Sequence, residues 1–176
     1  MEERILEECR GRRVVFRLVE AELPNGLRMR FDRVVFPNAV AVLPVFSDGT
    51  ILLERQYRPV IGEYIVEAPA GVVDPGEEPE EAARRELEEE TGYRARKLVP
   101  VGRGYTAPGY STEMLYLYLA PDPEPGEARP EEHEIISNVR IKISEALEKI
   151  SKGEIRDLKT IALIYMAKSW LESREG

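Results

Sequence analysis

At 176 residues, 43% hydrophobic and 33% charged, the chain has material for one sizeable core, and a single domain over 1–176 is the expectation. A net charge of −8 argues against a protein that coats nucleic acid, and no apolar run approaches the ~20 residues a bilayer requires. Cys9 is the single cysteine, so no internal disulfide forms, and the acidic start Met1-Glu2-Glu3-Arg4 is unlike a signal peptide. Both features point to a reducing, cytoplasmic setting. Abundant Glu, Lys and Arg beside one glutamine, Gln56, lean towards a thermophile.

The first half reads as strands. Residues 14–23 and 27–36 are rich in β-branched and apolar side chains around the hairpin turn Pro24-Asn25-Gly26. Residues 39–46 and 50–56 form a second pair around Ser47-Asp48-Gly49, and 64–67 a short further strand. Residues 79–90 change character to Ala, Glu, Arg and Leu, with Pro79 suited to a first helical turn and Gly92 to a stop. Strands are expected again at 96–101 and 113–119, then a Pro/Gly/Glu loop at 121–130 and a strand at 135–143. Helices at 144–151 and 158–172 close the chain, the second with Leu158, Ile161, Ala162, Tyr165, Met166 and Trp170 on one face. This order suggests an α+β fold with a mixed β-sheet sandwiched between helices, preceded by an N-terminal antiparallel β-hairpin subregion over about 1–38.

The helix at 79–90 is oddly built for a solvated surface. At about 100° per residue, Ala83 and Leu87 define an apolar stripe, and Glu86 and Glu90 border it with Glu89 on an adjoining edge. Glu81, Arg84 and Glu88 take the far side. Like charges beside a buried face are costly unless a cation compensates, and carboxylates three and four apart project together as ligands for a hard divalent ion. A Glu-rich helix is more often simply solvated. The residues around it decide otherwise. Gly71, Glu77 and then Arg85-Glu86-Leu87-Glu88-Glu89-Glu90-Thr91-Gly92-Tyr93 match the Nudix box over 71–93, and the chain resembles that hydrolase family. Only Tyr93 departs, standing where a small aliphatic residue is usual.

The resemblance implies a Nudix fold and Mg²⁺-dependent hydrolysis of a pyrophosphate bond, with Mn²⁺ or another divalent ion as a substitute. It assigns Glu86 and Glu90 as principal metal ligands, Glu89 as a further ligand or water-holding carboxylate, and the Ala70 carbonyl as an additional ligand. Glu77 and Arg85 become an ion pair that orients the loop on the helix, while Gly71 and Gly92 permit the turn and the helix exit.

Three segments resemble the ADP-ribose pyrophosphatase branch of the family. Pro108, in Thr106-Ala107-Pro108-Gly109-Tyr110, lies fifteen residues past Tyr93; alone it reads as a turn. Glu54-Arg55-Gln56-Tyr57-Arg58-Pro59 resembles the branch's Gln-x-Arg segment, with Arg58 gripping a phosphate. Glu67-Ala68-Pro69-Ala70-Gly71 resembles the strand entering its box, with Glu67 touching substrate or the metal network. In Glu131-Glu132-His133-Glu134 the branch's loop base falls on Glu132 with Glu134 as helper, Glu131 being the alternative register. His133, the single histidine, leaves almost no material for a Ser/His/Asp or Cys/His mechanism. Phe31, Phe36, Tyr57 and Tyr105 are candidates to stack an adenine, although strand aromatics are usually core. The branch is usually a homodimer whose N-terminal strands reach the other subunit, which places Arg28, Arg30 and Phe31 across an interface.

The leading reading is therefore hydrolysis of ADP-ribose to AMP and ribose 5-phosphate, with a small-molecule substrate and neither nucleic acid nor membrane as partner. Another nucleoside-diphosphate sugar is the enzymatic alternative. A non-catalytic nucleotide-sensing domain is the alternative from another class, disfavoured because Glu86, Glu89 and Glu90 are all retained.

Overall fold

The computed structural model describes residues 3–129 and 135–175. Contacts gather the chain into two compact units: Met1–Ala39 with Arg103–Leu115, and Val40–Gly102 with Tyr116–Gly176. The first unit holds the antiparallel sheet β1 (Glu3–Arg10), β2 (Val15–Glu22) and β3 (Arg28–Val35), in that order. β2 and β3 fall where their apolar content predicted them. The strand β1 was not expected, because Glu and Arg fill it and no apolar alternation marks it. Charge pairing holds it instead: Arg17 Nε reaches Glu8 at 2.7 Å, and Arg33 forks onto Glu3 at 2.9 and 2.8 Å. Charged edge strands of this kind resist pairing with other chains.

The second unit is built on a sheet ordered β12-β5-β4-β10-β9, with β6 paired to β5 and β7 to β4. The strands of this sheet are β4 (Ala39–Val45), β5 (Thr50–Arg58), β6 (Glu63–Glu67), β7 (Ala70–Val72), β9 (Val99–Tyr105), β10 (Met114–Pro121) and β12 (Ile136–Lys142), of which Ala39, 103–105 and 114–115 count with the first unit. The two-residue strands β8 (Tyr93–Arg94) and β11 (Glu124–Pro125) pair with each other. Three helices complete the α+β fold: α1 (Pro79–Thr91), α2 (Ile143–Ser151) and α3 (Leu158–Glu175).

Helix α1 starts where Pro79 pre-sets the first turn and the Glu81 carboxylate accepts the Glu78 amide at 3.1 Å. It ends at Gly92, whose φ of 73° is left-handed and whose amide closes on Glu88 O at 2.9 Å. Ala82, Ala83 and Leu87 are fully buried in a cluster with Val40, Val42, Leu98, Tyr118 and Ala120. Two alanines on that face let the helix backbone approach the sheet closely. Truncating Leu87 to Ala costs about 2–5 kcal/mol by the usual large-to-small rule.

Three expectations need correction. The buried face of α3 is Thr160, Leu163, Ile164 and Ala167, all at 0% exposure, whereas Leu158 and Tyr165 are 79% and 53% exposed. The helix is apolar around most of its girth, so periodicity did not single out the right side. Strand β9 begins at Val99 and ends at Tyr105, three and four residues later than the expected 96–101, since Arg96 lies in a bend and Lys97 and Leu98 belong to no strand. Within 121–130, the expected loop, β11 pairs with β8.

Candidate active site

The two box carboxylates meet one backbone step. Glu90 is 5% exposed and its Oε2 accepts the Ala70 amide at 2.9 Å. The Glu86 carboxylate lies against Gly71, where a Cβ would stand 1.9 Å from Oε1 and 2.5 Å from Oε2. A glycine is thus required for Glu86 to occupy its place. Helix α1 delivers both acids because Leu87 between them is buried and fixes the helix's rotation.

Arg85 locks the loop and the helix together. Its Nε and Nη2 each bond Glu77 at 3.0 Å, Nη2 bonds Val72 O at 3.1 Å, and Nη1 bonds Glu86 at 2.7 Å and Glu89 at 3.3 Å. The fork to Glu77 raises the guanidinium's pKa far above its ordinary value; burial opposes it, and the bond to Glu86 adds to the rise. The Arg85 fork in turn holds the Glu77 carboxyl below its ordinary 4.5. The structure thus brings Glu77 and Arg85 together as an ion pair at 3.0 Å.

As donors, the oxygens of Glu86 and Glu90 beside the Ala70–Gly71 backbone suit a hard divalent cation in kind. Gly71 supplies the room on the Glu86 side. Glu89 shares the Arg85 Nη1 donor with Glu86, and its own side chain is 44% exposed. Among the described residues, no three His, Cys, Asp or Glu side chains gather as a metal-holding group.

Arg58 and Glu67 prove to be partners. Nε and Nη2 of Arg58 bond Oε1 and Oε2 of Glu67 at 2.7 and 2.9 Å, and Lys159 Nζ bonds the same Oε2 at 2.5 Å. Glu67 is 1% exposed, so it orders Arg58 from within and does not present itself to a ligand. Arg58 is 38% exposed and keeps its Nη1 edge turned away from this fork. Although burial acts to lower its pKa, the bond to Glu67 and the nearby charges of Glu67, Glu90 and Asp157 raise it. The influence of Glu90 sets Arg58 in the electrostatic reach of the box acids.

Glu131, Glu132, His133 and Glu134 lie outside the described residues, but their flanks do not. Before them, the Arg129 amide bonds Glu89 O at 2.7 Å and the Gly126 amide bonds Gly92 O at 2.6 Å. After them, Ile135 O accepts the Tyr57 amide at 3.2 Å, and Asn138 Nδ2 bonds Thr91 O at 3.1 Å. The described residues on either side, Arg129 and Ile135, are therefore bonded to the elements that carry Glu90 and Arg58.

In the first unit, Phe31 and Pro108 come together. With Tyr105, Tyr110, Arg33 and Ser111 they line a concavity of about 410 Å³. Arg28 and Arg30 do not line it; Arg28 lies beside Glu3, Glu20 and Glu22, and Arg30 Nε bonds Glu20 at 2.9 Å. Of the other aromatic candidates, Phe36 is half-buried, and Tyr57 packs edge-on against Tyr64 with centroids 5.2 Å apart.

Sequence reasoning missed Lys159, Asp157 and Thr160 at the start of α3, and it gave Glu54 no role, although Glu54 is 1% exposed and faces Glu67 across the β5–β6 pair. The visible signal was a glutamate ending the apolar run Ile51-Leu52-Leu53. Nothing comparable marked Lys159, which stands in a mixed helical start.

The NUDIX domain profile matches residues 35–164. The chain is 41% identical over 143 residues to an ADP-ribose pyrophosphatase of Bacillus subtilis (strain 168), covering 80% of this chain and 77% of that protein. It is also 41% identical over 152 residues to a GDP-mannose pyrophosphatase of Cronobacter sakazakii (strain ATCC BAA-894), covering 80% and 79%. A crystal structure of an ADP compounds hydrolase superposes with a TM-score of 0.84 at 26% identity, covering 99% of this chain and 96% of that one.

Proposed function

The chain belongs to the NUDIX family, and on that footing we propose that it hydrolyses the pyrophosphate bond of ADP-ribose, releasing AMP and ribose 5-phosphate. The observation that carries this reading is the convergence of Glu86 and Glu90 on the Ala70–Gly71 step, with Arg58 forked onto Glu67, three residues before Ala70. Glu86 and Glu90, joined by the Ala70 carbonyl and by Glu89, would hold Mg²⁺, with Mn²⁺ as a substitute. When bound, such an ion supplies charge neutralisation for the diphosphate and lowers the pKa of the attacking water.

The chain's own residues do the rest. Arg58, aligned by Glu67, turns its remaining donors to a phosphate oxygen. Arg85 keeps Glu86 in register with the 71–77 loop. Glu132 takes the proton of the attacking water with Glu134 as its helper, Glu131 being the other register. The concavity of Phe31, Tyr105 and Pro108 offers an aromatic surface of the kind a nucleobase stacks on. A homodimer that brings Arg28, Arg30 and Phe31 to the second subunit's site, working in the cytoplasm on one domain per chain, completes the reading. Among the described residues no helix is long and apolar enough to cross a membrane.

A second reading, hydrolysis of another nucleoside-diphosphate sugar, is favoured by the GDP-mannose pyrophosphatase relative. Incubating the protein and Mg²⁺ with ADP-ribose, GDP-mannose, other nucleotide sugars, NADH and nucleoside triphosphates separates the two. Fastest release of AMP from ADP-ribose is expected. Faster cleavage of GDP-mannose moves the assignment to the second reading, and no turnover of any diphosphate overturns both.

A further inference from the structure

Three side chains at the start of α3 close on the strand that leads into the box. Lys159 Nζ bonds Glu67 Oε2 at 2.5 Å and Asp157 Oδ2 at 3.0 Å, with its side chain 19% exposed. Thr160, at 0% exposure, donates its hydroxyl hydrogen to Asp157 while its Oγ1 accepts the Ala68 amide at 2.7 Å. One helical turn therefore grips Glu67 by its side chain and Ala68 by its backbone. Two residues on, the Ala70 amide is held by Glu90.

The grip has a directional consequence. A buried carboxylate with one bidentate partner is free to rotate with it, whereas a second cation on Oε2 fixes the carboxylate plane and so the fork of Arg58 that lies on it. Arg58 and Lys159 both bond the Glu67 carboxylate, so that removing Lys159 leaves the buried Glu67 to one guanidinium. We infer that Lys159, braced by Asp157, is a positioning residue that acts through Glu67 to aim the outer edge of Arg58 at the diphosphate. This rests on the reading above that Arg58 binds the diphosphate.

The test is a double-mutant cycle on ADP-ribose hydrolysis with K159M, R58M and the pair, each first shown to be folded by circular dichroism and thermal melting. K159M is expected to raise KM about tenfold, the order typical of residues that orient a ligand-binding group, with a smaller change in kcat. In the R58M background the same substitution is expected to change KM no further. K159R, which keeps a cation on Oε2, should recover much of the loss. D157N, which removes the brace and leaves Lys159 in place, covers the case in which K159M does not fold, and should raise KM in the same sense. If R58M raises KM while K159M and D157N do not, or if the effects of K159M and R58M simply add, the positioning role is wrong and the use of Arg58 stands. If R58M itself leaves KM unchanged, the use of Arg58 falls, and the role of Lys159 with it.

Discussion

Gly71 and Glu86 cannot both keep their places if Gly71 gains a side chain, because its Cβ would stand 1.9 Å from Glu86 Oε1. The box glycine therefore serves the acid, quite apart from any turn it allows. In G71A the Glu86 carboxylate must swing away from the Ala70–Gly71 step. Misplacing a catalytic group by about 1 Å can cost on the order of 100-fold in rate, and a fall of that size in kcat is expected. Stability should change far less, since the displaced group is the end of a flexible side chain. A G71A protein with near-normal kcat, and a crystal structure showing Glu86 unmoved, would contradict this account.

Glu90 offers a cleaner removal of charge. Its Oε2 accepts the Ala70 amide, a bond that a glutamine carbonyl can also accept. E90Q should thus fold and melt close to the parent while losing most of its turnover, and its calorimetric Mg²⁺ binding should weaken in parallel. Retention of near-normal turnover would remove Glu90 from the metal-binding role.

Much of this site was legible because the box is a local pattern. Gly71, Glu77, Arg85, Glu86 and Glu90 are spaced by one loop and one helix, so sequence distance fixes spatial distance. The hairpin of β2 and β3 was legible for the same reason. What the sequence hid depends on pairs far apart in the chain. The strand β1 is held by Glu3 and Glu8 meeting arginines on later strands, which no apolar period announces. Arg58 looked like a free phosphate clamp until Glu67, nine residues on, took two of its five N–H donors. Lys159 comes to Glu67 from 92 residues away. The side of α3 that faces inward was likewise set by packing, as its apolar residues encircle it.

The Arg85–Glu77 pair sets an acid limit. Arg85 holds the Glu77 carboxyl below its ordinary 4.5. A group lowered in the folded state contributes stability that is present above its unfolded value and is lost as pH falls through the folded value. The tie of loop to helix should therefore persist at neutral pH and loosen only below about the ordinary carboxylate range. E77Q removes that titration: its melting temperature should be lower than the parent's at pH 7, and the difference should shrink as the pH is taken down through that range. A difference that stays constant from pH 7 to the acid limit would show that Glu77 contributes nothing through its charge.

Gly92 meets two demands that one pair of substitutions can separate. Its φ of 73° disfavours any residue with a Cβ, by about 1–2 kcal/mol for an ordinary L-residue. Its position also leaves no room, since a Cβ would stand 2.9 Å from the Ala128 backbone nitrogen. Asparagine tolerates the left-handed conformation, so G92N relieves the first demand and not the second. If only φ matters, G92N should be nearly as stable as the parent in urea unfolding and G92A should not. The contact with Ala128 argues for a different result: both should be destabilised. Both should also lose turnover beyond what their stability explains, because the Gly126–Gly92 and Arg129–Glu89 bonds tether the segment that precedes Glu131 and Glu132. A fully active, stable G92N would show that the loop yields at Ala128 and that its seat on α1 is unimportant for the reaction.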